Sequence, residues 1–276
     1  MAIFSFKQVD VFSSVPLKGN PLAVVIGAEG LNDAQMSVFA NWTNLSETTF
    51  LLPPTVPEAD YRVRIFTPHG ELPFAGHPTL GTCHAWLEVG GAPKGREVVQ
   101  ECAAGLVRVR RENGELAFAA PPLCRSGPVD PELMEKIRAG LHITPEQILA
   151  SAWVDNGPGW LALRLSSREE VLAAKPDFAA LDEQKIGLVG PWEKSGDDEP
   201  QFELRAFSDG HEDPVTGSLN ASVAQWLMGS GVAPDSYIAS QGTALGRAGR
   251  ISLTKADGEI WVGGAVTTLI DGSLKL

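Results

Sequence analysis

Two stretches of the chain share one pattern: RIFTPHGELPFAGHPTLGTCHAWL at residues 64–87, and RAFSDGHEDPVTGSLNASVAQWL at residues 205–227. Arg, Phe, Pro and Gly recur at an offset of 141 positions (64 to 205, 66 to 207, 73 to 214 and 76 to 217), and Trp recurs at 140. An offset of about half of the 276 residues predicts two similar lobes related by a pseudo-twofold axis. A cleft between matching lobes is a common place for a small-molecule site.

Composition narrows the class of protein. A hydrophobic fraction of 43% and a charged fraction of 20% are typical of a soluble globular chain. The net charge of −12 argues against a nucleic-acid-binding surface, although it leaves room for a small acidic substrate. The three cysteines (Cys83, Cys102 and Cys124) match neither a disulfide framework nor a zinc-binding pattern. We therefore expect a protein of the reducing cytoplasm. We expect no signal peptide and no membrane span, because no long apolar run occurs.

Each half is predicted to run from a strand through a Gly-containing loop into a helix. The central helices are expected at about 79–89 and 218–228, and the proline-rich segment from Pro121 marks the lobe boundary. The predicted lobes are therefore 1–122 and 123–276. Because the first turn of a helix leaves backbone N–H groups open, the two helix starts could bind anionic groups. Ordinary strand-to-helix turns, in which Gly only provides backbone freedom, are the alternative.

Several stretches, in order along the chain, resemble one known family. They are Val11-Phe12, GNPLAVV (19–25), LSETTF (45–50), FTP (66–68), ELPFAGHPTLG (71–81), EDPVTGS (212–218), Gln241-Gly242 and Gly246-Arg247. The chain resembles the PhzF (phenazine-biosynthesis-like) family, which has the diaminopimelate-epimerase-like fold. The resemblance implies an α/β (α+β) protein with two pseudo-symmetric lobes, each a mixed, mostly antiparallel sheet curled around a central helix. It also implies that the last strand, about 264–276, returns to the first lobe, that no cofactor is used, and that the protein is a homodimer.

Glu47 is the first candidate catalytic residue. It lies just before the apolar run Thr49–Leu52, where a carboxylate is costly unless it is hydrogen-bonded or its pKa is raised. A raised pKa suits a general acid/base near neutral pH, whereas a rim or capping carboxylate would have no chemical role. The resemblance implies that Glu47 is the proton-transfer residue.

Three further candidates lie at the two predicted helix starts. His77 could be structural or substrate-binding, and the resemblance implies a part in the site and in proton movement. Asp213 stands where the first copy has Leu72, and Ser218 stands in the place of His77. Turn initiation and helix capping are their simpler roles. The resemblance implies that Asp213 orients the substrate or Glu47 and that Ser218 contacts the substrate.

The remaining candidates are predicted to bind substrate. Gly76 and Gly217 would let backbone amides approach a ligand. The resemblance adds Asn20 and Thr216, which lie in two of the matching stretches. Together these residues predict a small anionic substrate that carries a carboxylate.

Two other kinds of chemistry are disfavoured. His69, His77 and His84 are spaced by eight and seven residues, which matches no usual metal-ligand pattern, so we expect no metal site. Epimerases with a related fold use one cysteine from each lobe. Cys83 has no counterpart in the second copy, so a two-thiol racemase is not expected.

The function predicted from the sequence is a cofactor-independent isomerase acting on a small carboxylate. One alternative is an epimerase or racemase of an amino or hydroxy acid, with Asp213 as the second base. Another is a binding protein that has lost turnover. The chain departs from the usual family pattern at Pro78, Leu219-Asn220 and Ala248-Gly249, which leaves the identity of the substrate open.

Overall fold

The computed structural model describes residues 2–112, 114–193 and 199–276. The chain divides into two compact units. The first contains the residues up to Ala119 together with Gly263–Leu276, and the second is Ala120–Val262. Among the described residues, no helix combines the length and apolar character that a membrane span needs.

The first unit is a mixed sheet with two helices. β1 pairs antiparallel with β2, β2 runs parallel to β3, and β3 is antiparallel to β4. β4 then forms a hairpin with β5 and lies parallel to β6, which continues into the antiparallel strands β7 and β8. The elements are β1 (Ile3–Val11), β2 (Asn20–Ile26), α1 (Asp33–Thr43), β3 (Thr48–Leu52), β4 (Tyr61–Thr67), β5 (Gly70–Leu72), α2 (Gly76–Glu88), β6 (Val98–Cys102), β7 (Gly105–Glu112) and β8 (Glu115–Ala119).

The second unit repeats this order of pairings. β9 is antiparallel to β10, β10 to β11, and β11 is parallel to β12. β12 is antiparallel to β13, which forms a hairpin with β14 and lies parallel to β15, and β15 is antiparallel to β16. The elements are β9 (Arg125–Gly127), α3 (Pro131–Leu141), β10 (Ile148–Asp155), β11 (Trp160–Leu165), α4 (Arg168–Ala173), α5 (Phe178–Leu181), β12 (Lys185–Pro191), β13 (Phe202–Ser208), β14 (His211–Asp213), α6 (Gly217–Gly229), β15 (Ser236–Gln241), β16 (Gly249–Ala256) and β17 (Glu259–Gly264). The chain then returns to the first unit as β18 (Val266–Lys275), which pairs antiparallel with β1.

The offset of 141 extends over whole elements. β4, β5 and α2 begin at residues 61, 70 and 76, and β13, β14 and α6 begin at 202, 211 and 217. The sequence patterns did not predict the hairpin strands β5 and β14. The mixed α/β class expected from the sequence is confirmed.

Most residues of the helices α2 and α6 are buried. α2 contacts strands β1, β2, β3, β6, β8 and β18, and α6 contacts β10, β11 and β16. Gly81 of α2 lies so close to β2 that an added Cβ would be 2.5 Å from the Leu22 side chain. Helix α2 begins earlier than predicted, at Gly76, whereas α6 begins at Gly217, where it was expected. The start of α2 can precede Pro78 because the third helical residue needs no N–H donor.

The two faces of the first sheet are packed differently. Successive side chains of a strand point to opposite faces. In β3, Phe50 belongs to an aromatic cluster with Phe39 of α1 and Phe66 of β4. The neighbouring Thr49 accepts a hydrogen bond of 2.8 Å from Thr82 of α2. The sheet therefore has α1 on one face and α2 on the other, and Glu47 comes just before its strand β3.

Candidate active site

Glu47 and His77 lie together in the first unit. Glu47 ends the connection from α1 to β3, and His77 is the second residue of α2. The Nε2 atom of His77 is 3.4 Å from Oε2 of Glu47, and the two side chains are only 5% and 16% exposed. The structure thus brings together the predicted proton-transfer residue and the predicted helix-start histidine.

The imidazole of His77 is neutral at ordinary pH. Burial lowers the pKa of His77 to about 3, because a low-dielectric interior disfavours the charged form. The nearby carboxylate does not overcome this desolvation, so the contact with Glu47 joins a neutral ring and a carboxyl group. A neutral imidazole can both donate and accept a hydrogen bond.

His77 makes the stability of the fold depend on pH. The unfolded His77 binds a proton below pH 6.5, whereas the folded residue stays neutral until about pH 3. The unfolded state therefore binds more protons in this window, so stability falls as pH drops from 6.5 towards 3. Between pH 7 and pH 4.5, the free energy of unfolding of His77→Gln should therefore fall by about 2–3 kcal/mol less than that of the wild type. Denaturant unfolding at both pH values measures this. His69→Gln, at an exposed histidine, should keep the wild-type pH dependence, and equal curves for wild type and His77→Gln would contradict the prediction.

In the second unit, four of the predicted residues cluster around the start of α6. Asp213 ends β14, Thr216 is the residue before α6, and Gly217 and Ser218 begin the helix. The Thr216 hydroxyl donates to Oδ2 of Asp213 at 2.5 Å. The Ser218 hydroxyl accepts a hydrogen bond of 2.9 Å from the indole of Trp160, so its own proton remains available for another acceptor.

Both helix starts are suited to negative charge. The first intrahelical bond of α2 runs from the amide of Thr79 to the carbonyl of Ala75. In α6 it runs from Asn220 to Thr216. The amides before these donors are those that helix geometry leaves for a ligand. Neither first turn contains an acidic side chain, so the positive end of each helix dipole is not neutralised within its own turn.

Asn20 and Gly76 each begin an element of the first unit. Gly76 is the first residue of α2, next to His77. Asn20 is the first residue of β2, pairs with Val11 and is completely buried. The preceding Gly19 packs tightly, since a Cβ there would lie 2.2 Å from the carbonyl oxygen of Val11.

Sequence reasoning missed two side chains that support the second helix start. Trp160 binds the hydroxyl of Ser218, and nothing in its local sequence indicates this contact. Gln241 binds Thr216. It lies 141 residues after Gln100, which also bonds to a helix of its own unit. Extending the repeat to these two glutamines would have identified Gln241 as part of the framework.

Comparisons with known proteins show the family of the chain. The profile of the phenazine biosynthesis-like proteins, PhzC-PhzF, matches residues 9–272. The protein called antisense-enhancing sequence 1 from Schizosaccharomyces pombe is 37% identical, over 99% of both chains. Trans-2,3-dihydro-3-hydroxyanthranilate isomerase from Pseudomonas fluorescens is 33% identical, over 78% of this chain and 77% of its own.

A solved structure of the same family has a similar fold. The crystal structure of a phenazine biosynthesis protein of the PhzF family from Enterococcus faecalis superposes with a TM-score of 0.81 at 25% identity, covering 100% of both chains. The isomerase class predicted from the motifs is supported by the name of the Pseudomonas relative. The chain therefore belongs to the PhzC-PhzF family of phenazine biosynthesis-like proteins, as its motifs predict.

Proposed function

We propose that the chain is a cofactor-independent isomerase that moves a proton within a small carboxylate, with Glu47 as the general acid/base. The observation that carries this proposal is the pairing of Glu47 with His77. A largely buried carboxyl group 3.4 Å from a neutral imidazole can accept a proton and give it back.

The proposed reaction balances without a redox partner. The Glu47 carboxylate takes a proton from a substrate carbon next to a double bond, and the electron pair of the broken C–H bond delocalises into that double bond. The Glu47 carboxyl group then returns the proton to another carbon of the same system, so the double bond moves. His77 orients the carboxyl group between the two steps through its neutral ring nitrogen.

The proposed substrate is a small cyclic carboxylate. The Pseudomonas relative is named for trans-2,3-dihydro-3-hydroxyanthranilate, a ring that carries a carboxylate, an amine and a hydroxyl group. The amides at Gly76 and Gly217 would hold anionic oxygens. Asp213 would bind a donor such as an amine, and the Ser218 hydroxyl would donate to an acceptor.

Proton exchange in heavy water tests the proposal. The protein is incubated with a panel of cyclic and acyclic carboxylates that includes trans-2,3-dihydro-3-hydroxyanthranilate, and each is followed by NMR. A shifted double bond, with or without deuterium at the new C–H position, supports the isomerase. Tight binding with neither a shifted double bond nor deuterium incorporation across the panel would instead indicate a binding protein.

The same spectra distinguish an epimerase. Epimerisation incorporates deuterium at the carbon that loses the proton, inverts that centre and leaves the double bonds in place. Such a reaction needs a second base, for which Asp213 is the candidate. Inversion that is lost in both Glu47→Gln and Asp213→Asn would replace the isomerase proposal with the two-base one.

A further inference from the structure

Gln241 is a completely buried side chain whose hydrogen-bonding capacity is fully used by the loop before α6 and by the first turn of that helix. Its Oε1 accepts from the amide of Thr216 at 3.0 Å and from Nδ2 of Asn220 at 2.8 Å. Its Nε2 donates to the Thr216 hydroxyl at 2.9 Å and to the carbonyl of Asp213 at 3.1 Å. A primary amide has two donor hydrogens and two acceptor lone pairs, so all four positions are occupied.

These bonds set the direction of the Thr216 hydroxyl. Because that oxygen accepts from Gln241, its own hydrogen points to the remaining partner, Oδ2 of Asp213, at 2.5 Å. The result is a relay from Gln241 through Thr216 to the Asp213 carboxylate. A hydrogen bond to a charged acceptor is stronger than a neutral one and restrains the rotamer of the acceptor.

The first unit shows that this relay is not required by the fold. Gln100 stands 141 positions before Gln241. Its Oε1 accepts from the Tyr61 hydroxyl at 3.0 Å, and its Nε2 donates to the Thr79 hydroxyl at 2.9 Å. Gln100 therefore braces α2 against the sheet.

Two differences between the copies of the repeat change the partners of Gln241 relative to those of Gln100. Phe202 stands in the place of Tyr61, so no phenol competes for the Oε1 of Gln241. Thr216 stands in the place of Ala75 and supplies the bridging hydroxyl. The first change leaves the Oε1 of Gln241 without a phenol partner, and the second gives its Nε2 a hydroxyl to bind. That hydroxyl in turn binds Asp213.

Gly242 holds the glutamine against the loop. Its φ of 89° lies in the left-handed region, and a Cβ there would be 2.6 Å from the carbonyl oxygen of Pro214. A side chain at this position would push the strand end away from the loop before α6. Gln241-Gly242 therefore forms a close corner next to Asp213.

We propose that Gln241 is a positioning residue that acts through the Thr216 hydroxyl to fix the carboxylate of Asp213 toward the substrate. The consequence for activity rests on the proposed isomerase function, whereas the relay itself does not. Gln241 is argued to act only through its neighbours, without touching the substrate.

The test compares Thr216→Val with Thr216→Ser, and Gln241→Met with Gln100→Met. The readout is the carboxyl titration of Asp213, followed by ¹³C NMR of labelled protein and assigned with Asp213→Asn. Removing a donor from a carboxylate raises its pKa. We expect an upward shift of about one unit in Thr216→Val and in Gln241→Met, and none in Thr216→Ser. Gln100→Met loses an equivalent buried glutamine and should leave Asp213 unchanged.

Turnover adds a second measurement. We expect Gln241→Met to lower kcat for exchange about tenfold. Because Gln241 and Thr216 act in series, the double variant Gln241→Met/Thr216→Val should be no slower than the slower of the two single variants. An unchanged Asp213 titration in Thr216→Val overturns the relay, even if Gln241→Met fails to fold. A shifted titration with unchanged kcat keeps the relay and overturns its role in turnover. A wild type that neither shifts a double bond nor exchanges a proton refutes the isomerase proposal alone, because the titration still tests the relay.

Discussion

Glu47→Gln is expected to lower the rate of substrate exchange by about 10²–10⁴-fold, the usual contribution of a positioned general acid/base. Glutamine keeps the size of the side chain and its contact with His77, but it cannot take or return a proton. Because the change removes chemistry more than binding, kcat should fall while KM changes little. Deuterium incorporation followed by NMR over a range of substrate concentrations measures both constants.

Two further variants separate this role from a general effect of charge. Glu47→Asp keeps the carboxyl group but retracts it by one methylene, so we expect an intermediate rate. Glu71→Gln removes a carboxylate of the same unit that pairs with Arg64 at 2.7 Å, and it should leave the rate unchanged. Exchange at the wild-type rate in Glu47→Gln would refute the assigned role of Glu47.

The sequence predicted the mixed α/β class well because the repeat is a property of packing. Residues shared by the two copies, such as Arg64 and Arg205, stand at matching positions of β4 and β13. The short strands β5 and β14 were missed, since three residues are too few to show an alternating pattern. The early start of α2 was missed because Pro78 suggests a beginning, while the first turn tolerates proline at any of its positions.

The sequence predicted which residues belong to the candidate site, but not their contacts or their burial. Glu47 and His77 are 30 positions apart, and their contact depends on where β3 and α2 begin in three dimensions. The burial that keeps His77 neutral comes from the packing around α2, which no local pattern encodes. The proposed role of Gln241 depends on which partners its buried amide binds, and these differ from the partners of Gln100 at the matching position of the repeat.

The other large expected effect concerns the buried ion pair of the second unit. Arg205 of β13 makes two hydrogen bonds to the carboxylate of Glu212, at 3.0 and 2.8 Å, and both side chains are less than a tenth exposed. The same guanidinium donates to the carbonyls of Val171 and Ala174, at 3.2 and 2.7 Å, at the end of α4. We expect Arg205→Met to lower the free energy of unfolding by about 3–5 kcal/mol, because it leaves a buried carboxylate without its cation.

The repeat supplies a matched control for this variant. Arg64 makes the equivalent fork to Glu71, with both bonds at 2.7 Å, but its side chain is 23% exposed and that of Glu71 is 35% exposed. Water can take over the hydrogen bonds of an exposed carboxylate, so Arg64→Met should cost about 1 kcal/mol or less. Denaturant unfolding of both variants measures the difference.

A double variant shows whether the buried charge causes the loss. Arg205→Met/Glu212→Gln removes both charges, so it should recover a large part of the stability lost in Arg205→Met, although the α4 carbonyls still lack a donor. An equal loss in the single and double variants would instead assign the cost to the carbonyls of α4. Equal costs for Arg205→Met and Arg64→Met would contradict the role of burial. Because Glu212 directly precedes Asp213, the buried fork of the second unit also anchors the strand that ends in the proposed substrate-binding carboxylate.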